Sequence, residues 1–160
     1  MMETLTKEKI QIKPGKLFIG GKWVDSVSGK TFDTINPATA EPITQVYEAS
    51  EKDVDLAVQA ARKALEGPWK KFSASDRGKI LWKIGDLILK YAEELSYLET
   101  LDSGKTIFES SKIDIPHTAD VFHYYAGWAD KIQGETIPVK GNFFNYTLRE
   151  PVGVVAQIIP

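Results

Sequence analysis

The chain has 160 residues, of which 42% are hydrophobic, 11% aromatic and 26% charged, with a net charge of -2. That is enough apolar material for one globular domain with a sizeable core, and it excludes a disordered chain. Acids and bases are interspersed, so no basic field exists to hold a nucleic acid or an anionic membrane surface. The absence of cysteine excludes disulfides, thiolate metal sites and a cysteine nucleophile within these residues.

In chain order, residues 1–16 are polar and lysine-rich and include Pro14-Gly15, which predicts a flexible leader with order starting near Leu17. The leader has no apolar core such as a secretory signal needs, and no run in the chain has the length of a membrane span. A cytoplasmic protein is expected. LFIGGKWV, residues 17–24, sets Gly20 and Gly21 between short β-prone runs, a composition that predicts a tight hairpin whose turn needs positive φ. TFDTINPATAEPITQVYEA predicts a second hairpin, with NPATAEP as the connection and ITQVY as the return strand.

The period then changes. Ser50 with Asp53 three residues later has the form of a capping box, and Val54, Ala57, Val58, Ala61, Ala64 and Leu65 come after it at helical spacing up to Gly67-Pro68. A second helical stretch starts near Ser73 or Ser75 and carries Ile80, Leu81, Ile84, Leu87, Ile88, Tyr91, Leu95, Leu98 and Leu101 on one face, with Gly104 as its terminator. TIFESSKI is expected to be helical, Pro116 fits the first turn of a further helix through HTADVFHYYAGWADKI, and Gly134 closes it. TIPV, FFNYTLRE and VGVVAQII read as strands. The last is apolar on both faces, as a parallel strand covered by helices is, and it lacks the helix and strand that complete a βαβ unit. The expectation is an interrupted α/β architecture with further residues beyond Pro160.

Two GKT triplets, at 29–31 and 104–106, invite a phosphate-loop reading, but Val24 and Glu99 stand where a Walker loop needs its first glycine. A turn and a helix end are the better readings. His117 and His123 are six residues apart on one expected helix, a separation of roughly 240° that points them to different faces. They cannot chelate one metal together. Most carboxylates fall on polar helix faces, but Asp102 lies where an amphipathic helix ends, placed either to cap a backbone or to sit near an ion. Phe122, Tyr124, Tyr125 and Trp128 are expected in the core, with a subunit interface or a substrate channel wall as alternatives.

Several separated strings, in order and spacing, resemble the N-terminal part of the aldehyde dehydrogenase superfamily: LFIGGKWVDSVSGKTFDTINPATAEPITQV, GPWKKFSASDRGKIL, LETLDSGKT, YYAGWADKIQGETIP and YTLREPVGVVAQIIP. The resemblance runs from about Leu17 to Pro160 and is close to the tetrameric NAD-dependent branch with the broad-specificity, retinal and betaine-aldehyde enzymes. It implies an α/β fold: an incomplete Rossmann-like dinucleotide-binding domain with N-terminal β-hairpins, a helical middle and part of a β-hairpin oligomerisation arm. Residues 17–132 would belong to the NAD-binding domain, 133–152 to the arm that exchanges strands between subunits, and 153–160 to the first, truncated strand of the Rossmann-type sheet. Ile158, Ile159 and Pro160 match positions beside NAD (or NADP). Thr34, Ile35 and Asp102 match positions that hold a structural monovalent cation. Ile113 and His117 fall on the helix lining the aldehyde tunnel, where the family more often carries an apolar residue than histidine at the second place. The catalytic cysteine, glutamate and asparagine of the family match no residue of this chain.

The resemblance implies an NAD(P)-dependent aldehyde dehydrogenase, a homo-oligomer acting on small-molecule aldehydes, of which this chain alone is inactive. The alternative is a non-catalytic fragment that self-associates as an assembly module. Another dehydrogenase's nucleotide-binding domain is disfavoured by the late first Rossmann strand and the missing glycine fingerprint. An apolar, uncharged β edge templates pairing, so the isolated chain is expected to be oligomeric or to aggregate. A monodisperse monomer in sizing experiments across a concentration range contradicts that expectation.

Overall fold

The computed structural model describes Ile10 and residues 12–159. The order is β1 (Leu17–Ile19), β2 (Lys22–Val24), β3 (Thr31–Ile35), β4 (Pro42–Tyr47), α1 (Glu51–Glu66), a 3-10 turn (Pro68–Lys71), α2 (Ala74–Lys90), α3 (Ala92–Ser103), α4 (Ile107–Glu109), a π turn (Ser110–Asp114), α5 (Ile115–Trp128), β5 (Thr136–Ile137) and β6 (Asn145–Tyr146). The fold is α/β, with small hairpins around a helical middle. β1 with β2, β3 with β4 and β5 with β6 form three separate two-stranded antiparallel sheets.

The first two hairpins stand where the sequence places them. Gly20 and Gly21 turn β1 into β2 at φ of 59° and 80°, a region that glycine enters without steric cost. β3 and β4 pair from Thr31 with Tyr47 to Ile35 with Pro42, and the register slips between Thr34 and Ile35. The expected leader extends less far than its composition suggests. Gly15 forms a parallel bridge to Val46, donating to the Gln45 carbonyl at 2.8 Å and accepting from the Tyr47 amide at 3.0 Å. Residues 1–9 and 11 of that leader lie outside the described residues.

Asp53 ties the hairpins to the helices. Its carboxylate accepts from the Ser50 amide at 2.8 Å, Ser50 Oγ at 2.6 Å, Ser26 Oγ at 2.9 Å and the Val27 amide at 3.0 Å. The carboxylate thus caps α1 and also anchors the β2–β3 turn. Asp53 is 2% exposed, and the Ser50 hydroxyl, followed by the Val27 and Ser50 amides, holds its carboxyl well below the usual carboxylate range. Hydrogen bonds to the charged form act in that direction.

α2 begins at the Ser73 cap, whose hydroxyl accepts from the Asp76 amide, and α3 ends at Gly104 in the left-handed region at φ 76°. The single helical stretch expected from Ser73 to Leu101 is in fact two helices. Tyr91, at φ -104° and ψ 19°, bends the chain out of helical geometry, and apolar spacing, which continues on both sides, does not register such a bend. α5 ends at Trp128, before Gly134.

The most extensive packing between elements is that of α2 and α5. A Cβ on Gly78 would lie 2.7 Å from the Ala126 backbone oxygen, and one on Gly85 would collide with the His123 ring. Two glycines two turns apart on α2 therefore let α5 come close, backbone to backbone at Gly78 and through the His123 ring at Gly85. Ala119, on the same helix, has no exposed surface. The opposite face of α5 is bare: Tyr124, Tyr125 and Trp128 are all exposed. Of the four aromatics expected in the core, Phe122 is half-buried, and the other three are not in a core, because among the described residues no element covers that side.

The last expectation also changes. FFNYTLRE contributes only the two-residue β6, which pairs with β5, and residues 147–159 hold no strand. A strand exists through a hydrogen-bonded neighbour, and no described strand lies beside VGVVAQII.

Gly78→Ala is expected to destabilise the chain by about 1–3 kcal/mol through overpacking, which outweighs the gain of about 1 kcal/mol that alanine offers over glycine in a helix. Gly127→Ala, where a Cβ meets nothing within 4 Å, is expected to stabilise by up to about 1 kcal/mol. Urea midpoints of the two variants check both signs. The depressed Asp53 carboxyl stabilises the fold fully above its ordinary value of 3.8 and loses that contribution as pH falls below it. The stability gap between wild type and Asp53→Asn is therefore expected to be largest near neutral pH and to shrink towards about pH 3. Denaturation series at several pH values read the gap directly.

Candidate functional site

Thr34 and Asp102, separated by 68 positions in sequence, line one recess of about 440 Å³ with Thr44, Leu98, Glu99 and Ile115. Its walls are the β3–β4 hairpin, α3 and the first residue of α5. Two features of the chain bring them together. The Asn36 to Glu41 connection is closed by the Asn36 amide on the Glu41 carbonyl at 2.9 Å, and Pro37 in that loop packs so near Gly104 that a Cβ there would lie 2.8 Å from its ring. The left-handed glycine that ends α3 thus also seats the hairpin beside Asp102.

Thr34 Oγ1 donates to the Thr44 carbonyl at 3.3 Å, leaving hydroxyl lone pairs free to accept. Thr34 and Ile35 keep partners in Thr44 and Pro42, and the slip between them leaves Ile43 on the return strand as the extra residue. The Ile35 side chain is largely exposed and does not line the recess. No three His, Cys, Asp or Glu side chains converge to hold a metal ion among the described residues, so an ion here would depend on hydroxyl, backbone and single-carboxylate oxygens.

Ile113 lies on the π turn and His117 in the first turn of α5, and both are exposed. His123 is turned elsewhere, with Nε2 3.2 Å from Asp86 Oδ1 and its ring centroid 4.5 Å from that of Trp82. Ile158 and Ile159 are 99% and 79% exposed, while Pro160 lies outside the described residues. The side chains of Ile158 and Ile159 are apolar, so a contact to a pyrophosphate here would fall to their backbone N–H groups.

Three features escaped the sequence. Asp53 reaches across to Ser26 and Val27, where only a local capping box was legible. Lys105 Nζ lies 2.9 Å from Asp114 Oδ2 and 3.4 Å from Glu99 Oε1, although its GKT triplet invited only the phosphate-loop test. The π turn itself has no signature in apolar spacing.

With this geometry in hand, comparison with known proteins is specific. The sequence profile of the aldehyde dehydrogenase family matches residues 23–160. The Bacillus subtilis protein DhaS is 54% identical over 146 residues, covering 91% of this chain and 30% of that protein. Aldehyde dehydrogenase family 2 member B4, mitochondrial, from Arabidopsis thaliana is 49% identical over 159 residues, covering 99% of this chain and 30% of that protein. The NAD+ complex of aldehyde dehydrogenase from Bacillus cereus superposes with a TM-score of 0.85 at 45% identity, over 88% of this chain and 29% of that one. The chain belongs to the aldehyde dehydrogenase family, and it spans about 30% of the length of the curated relatives it matches.

Proposed function

We propose that residues 17–160 are the N-terminal part of an NAD(P)-dependent aldehyde dehydrogenase that oxidises aldehydes to carboxylic acids through a cysteine thioester. The observation that carries the reading is the likeness to the Bacillus cereus enzyme solved with NAD+, at 45% identity and a TM-score of 0.85. Bound NAD would accept the hydride. The cysteine nucleophile is supplied from outside these residues, because the chain has no cysteine.

Within that enzyme this chain contributes walls and supports. Ile158, Ile159 and Pro160 would line the dinucleotide, and Ile113 and His117 one side of the aldehyde tunnel. Thr34, Ile35 and Asp102 would hold a monovalent cation. The recess that holds Thr34 and Asp102 fits such an ion, since hard cations take hydroxyl, carbonyl and carboxylate oxygens. Residues 133–152 would form the oligomerisation arm of a cytoplasmic homo-oligomer. A second reading, a self-associating fragment without catalysis, is favoured by the exposed Phe143, Phe144, Leu148 and Val152.

The test is aldehyde-dependent reduction of NAD by two samples: the chain at its confirmed mass of 17.9 kDa, and a full-length polypeptide that carries it. Turnover is expected from the full-length polypeptide alone. Turnover that tracks the 17.9 kDa species contradicts the assignment of the chemistry to residues elsewhere, and no turnover from either favours the assembly reading.

A further inference from the structure

The π turn is pinned to α3 at two points. Thr100 Oγ1 donates to Ser110 Oγ at 3.0 Å, with Ser110 entirely buried. Some way along, the Lys105 ammonium spans two elements, 2.9 Å from Asp114 on the π turn and 3.4 Å from Glu99 on α3. The Asp114 carboxylate first, and Glu99 after it, raises the pKa of Lys105. π turns occur mostly as single-turn insertions within helices, often at functional sites. One inserted residue rotates the downstream helix by about 100° relative to the upstream turn. The π turn carries Ile113 and leads directly into the first turn of α5, which carries His117.

We infer that Lys105 is a positioning residue for aldehyde selection: by bridging Glu99 to Asp114 it holds the π turn that aims Ile113 and His117. The inference rests on the proposed placing of those two residues on the tunnel wall. Glu99 also lines the recess that contains Asp102, so the same ammonium links the candidate cation recess to the tunnel helix. A purely structural ion pair at this partly exposed position would alter stability slightly and leave selectivity alone, which separates the two roles.

The experiment uses the full-length polypeptide carrying this chain, with acetaldehyde and benzaldehyde as the small and bulky probes. Lys105→Met is expected to change the ratio of kcat/KM for the two aldehydes by about two- to fivefold, the scale of a partly exposed ion pair. The change should appear in KM, with kcat for acetaldehyde nearly constant. Lys105→Arg, which can still span both carboxylates, should restore the ratio, and Asp114→Asn should reproduce the loss from the other side. Ile113→Ala, measured in parallel, tests the tunnel wall itself. If Ile113→Ala shifts the ratio and Lys105→Met lowers only the melting temperature, the positioning role is overturned and the tunnel wall stands. A flat response to Ile113→Ala overturns both. Failure of Lys105→Arg to restore the ratio also counts against the bridge. Should Lys105→Met not fold, Asp114→Asn carries the same comparison.

Discussion

The close approach of α2 and α5 is the constraint on which the arrangement depends. Gly78 and Gly85 remove the side chains that would hold the two helices apart, and Ala126 and His123 occupy the space so released. Helices that meet through small residues bring their backbones close and gain many short-range dispersion contacts. Here that contact substitutes for a deep core. Among the described residues Ala119 is the only apolar side chain that is fully buried, so the helical middle is held by one tight seam and a few polar ties. Displacing α5 would carry with it both Ile113 and His117 and the edge of the recess at Ile115.

The polar ties work at the junctions that the seam does not reach. Asp53 joins the β2–β3 turn to the start of α1 through four hydrogen bonds. Gly104, packed against Pro37, seats the second hairpin on the end of α3. Lys105 and the Thr100–Ser110 pair join α3 to the π turn. Each tie lies at an element boundary, where a side chain can satisfy backbone groups or carboxylates that regular structure leaves open. Together they place Thr34 and Asp102 in one recess, which neither residue's local sequence would reveal.

Much of this was legible in the sequence, for identifiable reasons. Gly20-Gly21, Ser50 with Asp53 and Gly104 mark turns and caps by local chemistry, and local chemistry survives in the fold. The family resemblance and the α/β class come from ordered strings along most of the chain. What could not be read is non-local or one-sided. VGVVAQII has the composition of a buried strand, yet a strand needs a neighbour, and none lies beside it among the described residues. Tyr124, Tyr125 and Trp128 look like core because they are aromatic, but burial depends on what faces them, and only one side of α5 is covered. The bend at Tyr91 and the extra residue of the π turn leave the apolar period intact, so periodicity passes over both.

Amide hydrogen exchange of the 160-residue chain tests the central role of the α2–α5 seam most directly, because protection reports the free energy of opening each segment. The slowest amides are expected in α2 around Gly78 to Gly85 and in the facing part of α5 around Ala119 to Ala126, with residues 147–159 exchanging fastest. Exchange in α5 as fast as in residues 147–159 would contradict the account.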